Sequence, residues 1–100
     1  MASDWQIDIK SLRYFVCVAE EKSFSRAANR LRIAQPAISR QVQGLEKDLG
    51  VELFIRHARG ADLTEAGEIL FRRAHTIFQQ MRQTRDDIAV HGNMPRGTVT

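Results

Sequence analysis

A chain of 100 residues, 43 % of them hydrophobic and 27 % charged, is long enough for one domain with an appendage and too apolar to be disordered. Its net charge is +3, yet between Lys22 and Arg59 eight basic residues face three acidic ones, and twelve of the fifteen basic residues are arginine, the side chain suited to phosphate and guanine edges. No apolar run reaches membrane-spanning length, Asp4, Trp5 and Asp8 stand where a leader would need basic and then apolar residues, and the lone Cys17 excludes an internal disulfide, so a cytoplasmic protein with no membrane partner is expected.

Met1 to Gln6 shows no periodicity and is expected to be a loose arm. From about Asp8 to Glu21 the pattern predicts a helix with two apolar sides. Leu12, Phe15, Val16 and Ala19 form one and Tyr14 with Val18 the other, so this helix needs two neighbours. Cys17 lies between them at mid-helix, where a small packing residue is expected rather than a reactive thiol. Ser23 is placed to cap a short second helix, Phe24 to Leu31, with Phe24, Ala27, Ala28 and Leu31 inward. Only Arg32-Ile33-Ala34 separates it from the next helical pattern. Helices joined by so short a link cross steeply, as in a helix-turn-helix.

That third helix, Gln35 to Leu49, organises the rest. Ile38, Val42, Leu45 and Leu49 recur in steps of four, three and four, which is a buried helical face. Gln35, Pro36, Ser39, Arg40, Gln43 and Lys47 project together on the opposite side, and no acid precedes Glu46 and Asp48. A polyanion can approach the leading turns without repulsion. Pro36 suits a first turn and Gly50 a stop.

Val51-Glu52-Leu53-Phe54-Ile55-Arg56 is rich in strand formers, His57-Ala58-Arg59-Gly60 reads as a turn, and Ala61-Asp62-Leu63 as a short return strand. Such a hairpin must lean on the helices, and its expected tip carries Arg56, His57 and Arg59. Thr64 then caps a long helix from Glu65 to about His91, with Glu65 and Glu68 in its positive first turn. Leu70, Ala74, Ile77, Met81, Thr84 and Ile88 recur at coiled-coil spacing and predict a dimer seam. Gly92 to Gly97 reads as a hinge, and Thr98-Val99-Thr100 as a strand with no sheet to join, so a second domain is expected beyond it.

Phe24-Ser25-Arg26-Ala27-Ala28, Gln35-Pro36-Ala37-Ile38-Ser39, Leu45-Glu46, Leu49-Gly50, Leu53-Phe54-Ile55-Arg56, Arg59 and Leu63-Thr64-Glu65-Ala66-Gly67 stand in an order that resembles the N-terminal DNA-binding domain and linker helix of LysR-type transcriptional regulators. The resemblance runs from about Ile9 to Thr100. It implies a mainly α fold: a winged helix-turn-helix over residues 1–64, a linker and dimerisation helix over 65–91, and a hinge over 92–100 leading to a periplasmic-binding-protein-like effector domain. It also implies bacterial transcription control through double-stranded DNA, dimerisation through antiparallel linker helices, and a tetramer for the full-length protein. No cofactor is expected in this chain, and a small-molecule inducer is expected in the absent domain.

The implied base-reading residues are Gln35, Pro36, Ser39 and Arg40. Ser23, Ser25, Arg26, Arg32, Arg56 and Arg59 are expected on the backbone or in the minor groove, and the N–H groups behind Ala34 as a further phosphate site. Two positions depart from the pattern. Ala34 stands where members often carry Ser or Thr, and Gly44 sits inside the third helix at a cost of about 1 kcal/mol against alanine.

Catalysis is the main competing reading, since Ser39, Cys17, His57 and His75 are nominal reactive groups. No nucleophile elbow, phosphate-cradling glycine loop or zinc-type His/Cys spacing ties them together, so no enzyme and no metal site are expected. A bare dimerisation module would account for the seam but not for the basic middle of the chain.

Overall fold

In a computed structural model of the chain, residues 7–92 are described; the expected arm over 1–6, the hinge beyond Gly92 and the strand over 98–100 lie outside them. Capping side chains open three of the four helices. Asp8 accepts the Ser11 N–H at 3.4 Å before α1 (Ile9–Glu21), Ser23 accepts the Arg26 N–H at 3.0 Å before α2 (Phe24–Leu31), and Thr64 accepts the Gly67 N–H at 3.0 Å before α4 (Glu65–His91). Each cap contributes about 1 kcal/mol. Helix α3 (Gln35–Leu49) starts behind Ala34 with no side-chain cap and stops at Gly50.

Two helix ends carry no sequence signal. Lys22 and Arg32 terminate α1 and α2 in the left-handed region at φ 57° and 60°, a conformation that costs a non-glycine residue about 1–2 kcal/mol. At Arg32 the turn is closed by the Ile33 N–H on the Ala28 carbonyl at 3.0 Å, just before α3 begins.

Helix α1 is the hub, buried along Leu12, Phe15, Val16, Cys17, Val18 and Ala19 and packed on α2, α3, α4 and the hairpin. Leu12, Phe15, Val18, Ile38, Val42, Leu45 and Leu53 are fully enclosed, each worth about 1.5–3 kcal/mol of burial. Burial pushes the Cys17 thiol up from its ordinary pKa, and its Sγ lies 3.9 Å from the Ala27 carbonyl, as a packing residue would.

The hairpin pairs β1 (Phe54–His57) antiparallel with β2 (Gly60–Leu63), from Phe54 opposite Leu63 to His57 opposite Gly60. The first strand therefore begins later than its composition suggests. The N–H groups of Leu53 and Phe54 go to the Glu46 carboxylate at 2.7 and 3.3 Å, and the Glu52 carbonyl accepts the Thr64 hydroxyl at 2.7 Å. These bonds engage the backbone of 52–53 outside the ladder. The return strand begins one residue early, leaving Ala58-Arg59 as the loop. Gly60 is required there. Its φ is 146°, a Cβ would overlap the Lys22 carbonyl oxygen, and the next N–H, that of Ala61, donates to the same oxygen at 3.0 Å.

Helix α4 rises roughly 40 Å at 1.5 Å per residue, and the molecule measures 51 × 33 × 22 Å. Gly67 seats its first turn so closely against Leu53 that a Cβ would overlap the Leu53 carbonyl oxygen. None of the helices among the described residues is long and apolar enough to cross a membrane.

Candidate nucleic-acid interface

The expected division of α3 is present. Ile38, Val42 and Leu45 are buried, while Gln35, Pro36, Arg40, Gln43, Gly44 and Lys47 are exposed and Ser39 is half-buried. The buried side is also fixed by polar contact, since the Ser11 hydroxyl donates to Gln41 Oε1 at 2.7 Å from across α1. The guanidinium of Arg40 has no protein partner among the described residues and is left to solvent. At the helix start, the Ala37 and Ile38 N–H groups already donate to the Ala34 carbonyl at 3.0 and 3.4 Å, and Pro36 has none. Only the Gln35 N–H is left open among the described residues, so the expected multi-donor phosphate site behind Ala34 is reduced to one group.

The hairpin differs from its expected form at Arg56. This side chain is not at the tip. It pairs across the ladder with Ala61, its guanidinium carbon lies 3.7 Å from the centroid of the Phe24 ring, and Nη2 donates to Ser39 Oγ at 3.1 Å. Phe24 leans edge-on against Phe54 at 5.4 Å, and Phe54 packs against Phe15 at 5.3 Å. An aromatic row thus runs from the core to a cation beside α3. Sequence spacing gives no sign of this stack, because Phe24 and Arg56 are far apart in the chain. The tip itself is Ala58-Arg59: the Arg59 N–H donates to His57 Nδ1 at 3.2 Å and its side chain is exposed.

The remaining backbone candidates separate into free and engaged groups. Ser23 is buried and its Oγ accepts the Arg26 N–H, so it serves as a cap rather than an outward donor. Its partner Ser25 is exposed, 3.3 Å away. Arg26 donates to the Glu21 carbonyl at 2.6 Å and lies 3.8 Å from the Glu21 carboxylate. Arg30 is paired with Glu20 at 2.9 Å and Glu21 at 3.2 Å. The basic surplus read between Lys22 and Arg59 is therefore partly neutralised by two acids of α1 that lie just outside that window. Arg32 is exposed and has no side-chain partner among the described residues.

The nominal reactive groups do not assemble. His57 Nε2 lies 3.0 Å from Asp62 Oδ2, and Ser39 is engaged by Arg56 rather than by any histidine. Among the described residues no cluster of His, Cys, Asp and Glu could hold a metal ion.

A second surface lies along α4, and here the expected seam divides. Ala74 is fully buried in the chain's own core, and Leu70 and Ile77 are partly buried against it, together with Phe71 and Phe78. Ala74 is consequently unavailable to a partner, a correction to the seam. Met81 and Ile88 are 44 % and 65 % exposed, and with Thr76, Ile77, Gln80, Thr84 and Arg85 they line an open groove of about 680 Å³. Nothing among the described residues covers it.

The model of the family described as "Bacterial regulatory helix-turn-helix protein, lysR family" matches residues 9–68, from the start of α1 through the first turn of α4. The probable cat1 operon transcriptional activator of Acinetobacter lwoffii is 47 % identical over 77 residues, which is 77 % of this chain and 25 % of that relative. The chain thus spans about a quarter of that activator's length. The crystal structure of the BenM DNA-binding domain in complex with benA site 1 DNA superposes with a TM-score of 0.82 at 37 % identity, covering 86 % of this chain and 100 % of that one. Full-length CbnR complexed with its target DNA gives 0.78 at 41 %, covering 81 % and 28 %. With a family match over more than half its residues and a helix-turn-helix and wing in the same positions, the chain belongs to the LysR family of bacterial regulatory helix-turn-helix proteins.

Proposed function

We propose that this chain is the DNA-reading and dimerising part of a bacterial transcriptional regulator, with α3 in the major groove of double-stranded DNA and the wing beside it. One observation carries the reading. The leading turns of α3 are wholly polar or small outside, are held out by a fully buried opposite face, and present Arg40 without a partner among the described residues. Gln35 suits an adenine edge, Arg40 a guanine edge and Pro36 a thymine methyl, while Ser39 adds a hydroxyl. Ser25, Arg26, Arg32 and Arg59 suit phosphates, or in the case of Arg59 a narrow minor groove. The DNA present in the BenM and CbnR structures supports the assignment.

The uncovered groove on α4 supports a homodimer through Ile77, Met81, Thr84 and Ile88; a tetramer and an inducer-binding domain in the longer protein belong to the same proposal. Cytoplasmic location and the absence of catalysis follow from the same role. The test is electrostatic. Binding to a duplex should fall steeply with salt, with a log–log slope of about −0.9 for each phosphate neutralised. Affinity that stays flat from low to moderate salt contradicts the proposal.

A further inference from the structure

Arg56 is the one arginine of the wing that faces inward to α3, and its contact fixes a property of Ser39 that the residue type alone leaves open. A serine hydroxyl has one hydrogen to give and two lone pairs to receive, so a free serine can meet either a donor or an acceptor on a base edge. Arginine is a donor only. With Arg56 Nη2 at 3.1 Å from Ser39 Oγ, one lone pair is occupied by a cationic donor, and the hydroxyl hydrogen is repelled from that side. Serine in a helix often spends its hydrogen on the carbonyl one turn back, as Thr84 does here on Gln80 at 2.7 Å. Ser39 makes no such bond among the described residues. Its hydrogen remains available to an outside acceptor.

The arginine is itself immobilised. Its guanidinium lies 3.7 Å from the centre of the Phe24 ring, Phe24 is buried, and that ring is backed by Phe54 and Phe15 in the core. A side chain stacked on a fixed ring loses little further freedom when its hydrogen bond forms. The wing strand and the leading part of α3 are thereby joined through one polar contact.

We infer that Arg56 is a positioning residue that sets Ser39 as a hydrogen-bond donor, so that Ser39 selects an acceptor on the DNA, such as guanine O6 or N7 or thymine O4, against an exocyclic amino group. This rests on the proposal that α3 reads base edges. It differs from a simple phosphate contact by Arg56, which would hold any sequence alike.

The test compares the wild-type chain with Arg56→Met, Ser39→Ala and the double variant by selection on a randomised duplex pool. Affinities for the selected site and for mismatched sites are then measured, and thermal unfolding verifies that each variant is folded. Methionine keeps an apolar cover on Phe24 while removing the donor; Arg56→Leu, which likewise has no donor, serves if the methionine variant does not fold. Ser39→Ala should relax preference at one base pair by about 3- to 10-fold, the range of a single net hydrogen bond. Arg56→Met should relax that same base pair, admitting amino-bearing edges there, and the double variant should relax it no further. Two results overturn the inference: a base preference left intact by Ser39→Ala, or an Arg56→Met variant that weakens all sequences alike while preserving preference at the Ser39 position. A wild-type chain that enriches no sequence at all would instead remove the underlying reading of α3.

Discussion

Helix α3 and the far half of α4 are both left uncovered among the described residues, with opposite chemistry. The outward residues of α3 include Gln35, Pro36, Arg40, Gln43 and Lys47, with Asp48 only in its last turn and the buried residues Ile38, Val42 and Leu45 behind them. Those of α4 include Met81, Ile88 and Val90, the last 77 % exposed. A polar face is at ease in water and needs its ligand only for function. An apolar face of this kind gains from burial even when no DNA is present. The two uncovered faces therefore fit the two different partners proposed, a polyanion for one and a second copy for the other.

The comparison breaks most directly at the groove. Met81→Asp would place an unpaired charge in the proposed interface, at a cost of about 3–5 kcal/mol of association. Sedimentation should show a dimeric parent and a monomeric variant. Met81 is a cleaner site than Ile77, which is half-buried on the chain's own core and would confound association with folding. A parent that is monomeric at high concentration would remove the self-association half of the comparison.

Gly60→Ala attacks the other half through its support. The new Cβ meets the Lys22 carbonyl at a positive φ, so the wing must detach from the α1–α2 turn or the fold must strain. About 2–4 kcal/mol of stability should be lost, read as a lower urea midpoint at unchanged slope. An unchanged midpoint would show that the hairpin is not anchored through this contact.

A smaller effect sharpens the picture of α3. Gly44 is exposed on its outer side, and a Cβ there meets nothing within 4 Å. Gly44→Ala should stabilise the free chain by about 1 kcal/mol in thermal unfolding, since only backbone freedom is at stake. A destabilised variant would mean that the helix needs the glycine for its geometry.

Where the sequence was readable and where it was not follows from the range of the interactions. Ser23 and Thr64 announce their helices because a cap acts over three residues, and Ile38, Val42 and Leu45 declare their face through periodicity. Lys22 and Arg32 hide their left-handed turns because neither is glycine or asparagine. The Arg56 stack was unreadable because Phe24 comes from another element, and the pairing of Arg26 and Arg30 because Glu20 and Glu21 belong to α1. The seam misled at Ala74 for a related reason. A coiled-coil repeat has the same spacing whether the apolar residue meets another copy, as proposed for Met81, or its own core, as at Ala74.

The central claim, that α3 reads bases while the wing tip holds the backbone, is tested most directly by selection on a randomised duplex pool with Arg40→Ala and Arg59→Ala. Both arginines are exposed, but Arg40 stands on the polar face of α3 and Arg59 on the hairpin loop. Arg40→Ala should cost about 1–3 kcal/mol on the selected site and relax preference at one or two base pairs. Arg59→Ala should weaken many sequences alike and flatten the salt dependence, or weaken A·T-rich flanks selectively if its side chain enters the minor groove. Unchanged base preferences for Arg40→Ala would contradict the account.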